Sequence, residues 1–176
     1  AQLSRGLGDV YKRQGSDNMP YYSYSRDDGE SWSEAMMLAP PIGLVGTGFP
    51  VVTAGSEGRV AFGYVGDVGN QTWNGYMTIL TDAFSDNPLF TTVQVNLPED
   101  PIDSSNAYPQ GCGYERCGGL GDFLDMAVDQ YGRPWFSLAN NDAGEIGIFA
   151  TITDGPSLRG DLQPLAPMPL GGVLTL

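Results

Sequence analysis

The chain has 176 residues, with 21 acidic side chains against 8 basic ones, no histidine and a formal net charge of −13 at pH 7. A chain this acidic is unsuited to binding nucleic acid or anionic membranes. It contains no run of apolar residues long enough to predict a membrane span. Its acidity suits a secreted or salt-adapted protein, and equally a GC-rich coding sequence. The many glycines, prolines and aromatic residues favour short strands joined by turns.

The segment SRGLGDVYKRQ, residues 4–14, reads as a translated sequencing adaptor. The end of a transposase adaptor encodes Asp-Val-Tyr-Lys-Arg-Gln, and the adaptor bases before it supply Ser-Arg-Gly-Leu-Gly. We therefore expect residues 1–14 to be foreign to the native protein, whose own sequence then begins near Gly15. On this interpretation the chain is a fragment, and any signal peptide lies outside it.

Apolar runs separated by turn residues predict a series of antiparallel strands. A hairpin is indicated by two β-rich runs around Gly-Ser-Glu-Gly, and a second hairpin repeats its design with Gly132 in the place of Gly58. A third strand follows each hairpin. In chain order, the expected strands are residues 21–25, 33–38, the two runs of 49–67, 75–83, 89–97, the two runs of 122–140, and 145–155.

Antiparallel units of four strands that recur about every fifty to seventy residues are typical of a β-propeller. We expect an all-β fold, a partial propeller with about two and a half four-stranded blades. The expected division is a half blade in residues 15–46, a blade in 47–97, a linker in 98–121 and a further blade in 122–176. End blades without neighbours predict a poorly soluble or oligomeric chain.

The turn SRDDGESW carries the pattern Ser-x-Asp-x-Gly-x-x-Trp at Ser25, Asp27, Gly29 and Trp32. An aspartate can accept backbone N–H bonds across a tight turn, a glycine supplies positive φ, and a tryptophan covers a hairpin. The pattern resembles the Asp-box, or bacterial neuraminidase repeat, of sialidase-like β-propellers. The resemblance implies a propeller of that type and a structural role for these four residues. We favour that role over a catalytic carboxylate pair or a calcium loop.

Strand order in such a blade places the Asp-box turn at one end, the bottom, and the longer connections at the other end, the top. Propellers usually hold their ligands at the top. The segments expected there are residues 65–76, 98–123 and 140–145. The ligand-binding candidates are Trp73, Tyr114, Glu115 and Asp142, and the catalytic candidates are Arg116, Asp122 and Asp125. The alternative is that these are ordinary solvated loop residues.

Cys112 and Cys117 lie close together in the long linker. A small loop disulfide is the favoured interpretation, because it would staple a surface loop in an oxidising compartment. Two cysteines in a chain without histidine make a poor zinc set. We expect neither a metal nor a cofactor.

The resemblance to sialidases implies what a catalytic site would need. Three arginines bind the substrate carboxylate, a glutamate activates a tyrosine nucleophile, and an aspartate transfers protons. We expect Arg26, Arg59, Arg133 and Arg159 at bottom turns, which leaves Arg116 alone near the top.

Three hypotheses stay open: a sialidase-like glycan hydrolase, a non-catalytic propeller that binds glycans or proteins, and a structural or adhesion module. The expected location is extracellular or at the cell surface. The expected partners are a glycan or glycoprotein surface and the missing blades of the protein's own chain.

Overall fold

The computed structural model describes residues 9–14, for which it gives the backbone, and residues 17–38, 43–69, 71–104, 124–142, 146–152 and 154–160. Throughout these ranges the regular structure is β-strand, with no helix, which confirms the all-β prediction. The strands are β1 Asp9–Gln14, β2 Pro20–Ser25, β3 Met36–Met37, β4 Gly46–Ala54, β5 Val60–Asp67, β6 Trp73–Leu80, β7 Thr91–Gln94, β8 Asp125–Val128, β9 Pro134–Asn140 and β10 Ile146–Thr151.

The strands form three antiparallel sheets, each a meander in which neighbours in sequence are neighbours in space. The first sheet has the order β1-β2-β3, the central sheet β4-β5-β6-β7, and the last sheet β8-β9-β10. Tight turns make this possible: Gly58 joins β4 to β5 and Gly132 joins β8 to β9, with φ of 73° and 83°. Both glycines are therefore in the left-handed region that disfavours a Cβ.

Residues 9–14 form a strand that pairs with β2 from Gln14↔Pro20 to Asp9↔Ser25. Residues 1–14 were expected to be foreign to the fold, and the structure gives six of them a place in a sheet. Strand pairing uses backbone N–H and C=O groups, so an exposed strand edge accepts a segment of almost any sequence. The pairing leaves the adaptor origin of this segment a prediction.

The central sheet is buried on both faces. Because successive side chains in a strand point to opposite faces, Ala61, Val65 and Met77 join the cluster shared with the last sheet, whereas Val60 and Phe62 join the cluster shared with the first sheet. The strands β5 and β6 are accordingly buried along almost their whole length. The three sheets are thus stacked face to face.

The turns gather at two ends of this stack. At the bottom end, the Ser56 N–H donates to the Leu158 carbonyl and the Ala83 N–H to the Gly58 carbonyl, which links the turns of neighbouring strands and sheets. At the top end, the main chain of residues 102–104 pairs with the first residue of β6 and with the end of β9. The two ends therefore differ in their main-chain contacts: turns of neighbouring sheets bond to each other at the bottom, and residues 102–104 contact both the central and the last sheet at the top.

Candidate functional site

The turn at residues 25–32 is a network of hydrogen bonds centred on Asp27. Its carboxylate accepts the Ser31 N–H at 2.9 Å, the Ser31 hydroxyl at 2.6 Å and the Ser25 hydroxyl at 2.7 Å. The buried Ser25 hydroxyl oxygen in turn accepts the Gly29 N–H at 2.8 Å. Gly29 has a φ of 91°, the conformation that this turn requires of a glycine. The indole N–H of Trp32 closes the turn on the Gly29 carbonyl at 3.2 Å.

These contacts make Asp27 a poor proton donor or acceptor in chemistry. The Ser31 hydroxyl and N–H, with the Ser25 hydroxyl, lower the pKa of Asp27 to about 2 by stabilising the carboxylate. An ionised carboxylate that already accepts three hydrogen bonds has little capacity left for a substrate. Across the described parts of the chain, no group of three or more His, Cys, Asp or Glu side chains is placed to hold a metal ion. The geometry supports a structural role for this turn.

Asp129 has the same structural role in the β8–β9 turn as Asp27 has in its own turn. The sequence pattern alone did not identify Asp129. Its carboxylate accepts the N–H groups of Tyr131 and Arg133 at 2.8 and 2.9 Å and the indole N–H of Trp135 at 3.1 Å. The available signal was the spacing Asp-x-x-Gly-x-x-Trp, with Gly132 between the aspartate and the tryptophan. Aspartates therefore brace turns at the bottom of both the first and the last sheet.

The arginines whose side chains the structure describes all lie at the bottom end, as expected from strand order. They are Arg26, Arg59, Arg133 and Arg159. Arg59 donates from Nη1 to the Ser157 carbonyl of the last sheet at 2.7 Å, so it links neighbouring sheets. Arg26 lies over the Phe84 ring, 4.7 Å from its centroid, and links the first sheet to the central one. None of these four guanidinium groups reaches the top end.

Trp73, expected to line a site at the top, instead lies in the core. It is 6% exposed and belongs to the hydrophobic cluster between the central and last sheets. It starts β6, and its side chain points to the same face as those of Met77 and Ile79 because alternate residues of a strand share a face. An indole in this position packs the two sheets together, and its ring is covered where a sugar would have to stack.

The top end is nevertheless polar. Asn96 braces the β7 exit: its Oδ1 accepts the Gly75 N–H at 2.8 Å, and its Nδ2 donates to Asn74 Oδ1 at 2.8 Å and to the Asp100 carbonyl at 2.9 Å. The buried Asp103 lies beside this brace, and its backbone pairs with Trp73. These amides were not singled out from the sequence, because asparagine in a loop gives no signal beyond turn propensity.

Asp142 and Asn141 lie together where the last sheet meets residues 102–104. The Asp142 carboxylate accepts the Ser104 N–H at 3.0 Å, and the Asn141 N–H donates to the Ile102 carbonyl at 2.7 Å. The side chain of Asn141 differs from the other amides at this end. Both its Oδ1 and its Nδ2 are buried without a hydrogen-bond partner. An amide in this state carries unused donor and acceptor capacity, which native structures rarely leave without a reason.

Asp125 opens β8 and is exposed. Its carboxylate accepts the Met126 N–H at 2.8 Å, and its own N–H donates to the Ser137 hydroxyl at 3.2 Å. It pairs across the sheet with Ser137, on the face turned away from the central sheet. The structure therefore separates Asp125 from Asp142. The remaining site candidates, Tyr114, Glu115, Arg116 and Asp122, and the cysteines Cys112 and Cys117, lie outside the described residues.

The chain was compared with protein families and with curated proteins. Neither a protein-family model nor a curated protein matches the chain. In the residues that the structure describes, there is no helix that is long and apolar enough to cross a membrane. Any functional assignment therefore depends on the arrangement of the chain's own residues.

Proposed function

We propose that this chain supplies blades of an extracellular, sialidase-like Asp-box β-propeller that binds or acts on glycans at its top end. One observation carries the proposal: the stack has two unlike ends. Its bottom end is closed by turns that bond to each other and by arginines that link sheets. Its top end is crossed by residues 102–104, which bond to two sheets, and contains the unpartnered carboxamide of Asn141. A rigid stack with adaptable loops at one end is a common way to present a binding site.

The chemistry of the top end suits a sugar. Carboxamides and carboxylates offer donors and acceptors that match the hydroxyl groups of a carbohydrate. The Oδ1 and Nδ2 of Asn141 are buried and unpaired, and Asp142 beside it uses Oδ1 for the Ser104 N–H. An acidic chain also matches neutral glycans better than polyanionic ones.

Two versions of the proposal differ in chemistry, and each has its own support. The Asp-box hydrogen bonds of Ser25, Asp27 and Gly29 fit the turn found in sialidase-like propellers, which favours a glycan hydrolase. The placement of Arg26, Arg59, Arg133 and Arg159 at the bottom favours a non-catalytic glycan-binding propeller, because a substrate carboxylate at the top would meet none of those guanidinium groups. For the part of the chain that the structure describes, we therefore favour glycan binding over glycan hydrolysis.

The test is a glycan-binding screen of the 176-residue chain, paired with the variant N141A. Because the carboxamide is buried without a partner, its removal leaves stability unchanged or raises it. The wild type is expected to bind a set of glycans. N141A is expected to bind them about tenfold or more weakly, with an unchanged or raised melting temperature. A matched control, Glu34→Ala at the bottom end, keeps the binding.

Several outcomes contradict the proposal. Absence of binding across the screen contradicts a glycan site at this end, and equal binding by the wild type and N141A contradicts the part assigned to the carboxamide. Release of the fluorophore from a fluorogenic sialoside by the wild type, reduced in N141A, replaces the binding propeller by the hydrolase.

A further inference from the structure

Two aspartates of the chain are followed directly by a glycine, in the pairs Asp28-Gly29 and Asp154-Gly155. An aspartate in such a pair is prone to become isoaspartate, because glycine has no side chain to hinder the approach of its nitrogen to the carboxyl carbon. Both aspartates are exposed to solvent. Water, which the reaction first releases and then consumes, therefore has access to both sites.

The reaction joins the glycine nitrogen to the side chain of the aspartate. The nitrogen forms a bond with Cγ and gives up its proton, and the carboxyl hydroxyl leaves with that proton as water, which closes a cyclic imide. Water then opens the imide. Breaking the N–Cγ bond restores aspartate, whereas breaking the bond from the nitrogen to the main-chain carbonyl carbon leaves the chain running through Cγ as isoaspartate. One water leaves and one enters, so the mass is unchanged and no oxidant or other reactant is needed.

In the turn at residues 25–32, the nitrogen that would attack Asp28 is already engaged. The Gly29 N–H donates to Ser25 Oγ at 2.8 Å, and Ser25 is buried. This hydroxyl is itself held in place, because it donates to Asp27 Oδ1 at 2.7 Å. A nitrogen that acts as a nucleophile must leave its hydrogen-bond acceptor and turn toward Cγ. The Ser25 hydroxyl therefore opposes the first step of the reaction.

The backbone of this pair is in a conformation that a free chain seldom adopts. Asp28 has a φ of 56° and Gly29 a φ of 91°, and the left-handed region is uncommon for a residue with a Cβ. Isoaspartate would add a methylene group to the main chain at Asp28. The Gly29 carbonyl, which accepts the indole N–H of Trp32 at 3.2 Å, would be displaced with it. Isomerisation would therefore break the turn that the Ser25 hydroxyl braces.

We propose that Asp28 is a site of isoaspartate formation at which the Ser25 hydroxyl slows the reaction, so that Ser25 protects the turn chemically as well as bracing it. The proposal rests on contacts within residues 25–32 and does not depend on glycan binding. The hydrogen bond from Gly29 must open before the attack, so its strength enters the rate directly. Its loss is expected to speed isoaspartate formation about fivefold.

The test compares the full 176-residue chain with its Ser25→Ala variant. Both are incubated in warm, mildly acidic buffer, because the reaction consumes a protonated carboxyl group. Peptide mapping with electron-transfer fragmentation distinguishes isoaspartate from aspartate of the same mass, separately at Asp28 and Asp154. Ser25→Ala is expected to form isoaspartate at Asp28 about fivefold faster than the wild type, with an unchanged rate at Asp154.

Three controls separate the hydroxyl from folding in general. Asp154 lies beyond β10 whereas Ser25 ends β2, so unfolding of the whole chain speeds both sites and loss of the local bond speeds one. Ser31→Ala removes a different hydrogen bond of the turn, the one to Asp27 Oδ2 at 2.6 Å, and is expected to leave the rate at Asp28 unchanged. Concentrated urea opens the turn without any substitution, and the wild type is then expected to react at Asp28 about fivefold faster or more.

Each contrary result overturns the proposal. Equal rates at Asp28 in the wild type and Ser25→Ala show that the hydroxyl does not slow the reaction. An increase in Ser31→Ala as large as that in Ser25→Ala assigns the protection to the stiffness of the turn and not to the hydroxyl. If Ser25→Ala speeds both sites, the urea comparison decides: a wild type that reacts at Asp28 as fast in native buffer as in urea has no protection at this site.

Discussion

Gly75 in the central sheet and Gly147 in the last sheet hold equivalent places, because Val65 pairs with Gly75 as Ala139 pairs with Gly147. They provide a direct test of face-to-face sheet packing. In the variant Gly75→Ala, the new methyl group lies 2.6 Å from Leu138 Cδ1 and 2.7 Å from Val95 Cγ2. Overpacking of this kind costs about 1–3 kcal/mol, whereas replacing glycine by alanine in a strand returns about 0.5–1 kcal/mol. The expected net loss in the free energy of unfolding is therefore about 0–2.5 kcal/mol.

The matched variant is Gly147→Ala, at the same place in the last sheet. Its methyl group meets no atom within 4 Å, so the expected change is a gain of about 0.5–1 kcal/mol from the backbone alone. The measurement is urea unfolding followed by tryptophan fluorescence, at a concentration low enough to keep single chains. Equal free energies of unfolding for the two variants, or a more stable Gly75→Ala, would refute the stacking of the last sheet on the central one.

Three further predictions concern individual side chains. Replacing Asp129 by alanine leaves two backbone N–H groups and one indole N–H without their acceptor, and we expect urea unfolding to show a loss of about 1–3 kcal/mol. Hydrogen bonds, led by the one from the Ser31 hydroxyl, lower the pKa of Asp27 to about 2. The contribution of the Asp27 carboxylate to folding stability is therefore complete above the ordinary aspartate pKa and is lost as the pH falls through about 2. The carboxyl-carbon NMR shift of Asp27 reports this titration, and a midpoint at the ordinary aspartate value contradicts the hydrogen-bond network. Burial raises the pKa of Tyr64 to about 12, so its contribution is present below the ordinary tyrosine pKa and is lost as the pH rises through about 12. Phenolate absorbance of the wild type and Tyr64→Phe checks this, and a Tyr64 signal that titrates at the ordinary value would show an exposed ring.

The sequence allowed the hairpins to be predicted because their turns are encoded locally. Gly58 and Gly132 each follow an apolar run and take up a positive φ that other residues avoid, so the turn and its flanking strands can be recognised from a few residues. The turn at residues 25–32 is local in the same sense, since each of the hydrogen bonds around Asp27 joins residues within a span of eight. Features of this kind need no knowledge of the rest of the fold.

Features that depend on contacts between sheets could not be predicted. Trp73 looks like a loop aromatic in the sequence, and it is buried because β6 begins at that residue and turns the indole toward the last sheet. Gly75 looks like a strand breaker, and it is required by the side chain of Leu138, far along the chain. The Oδ1 and Nδ2 of Asn141 lack partners because of the positions of neighbouring residues in space, which the sequence alone does not give. The strand β1 was not predicted for another reason. Its pairing with β2 uses backbone groups, so it does not require a recognisable sequence pattern.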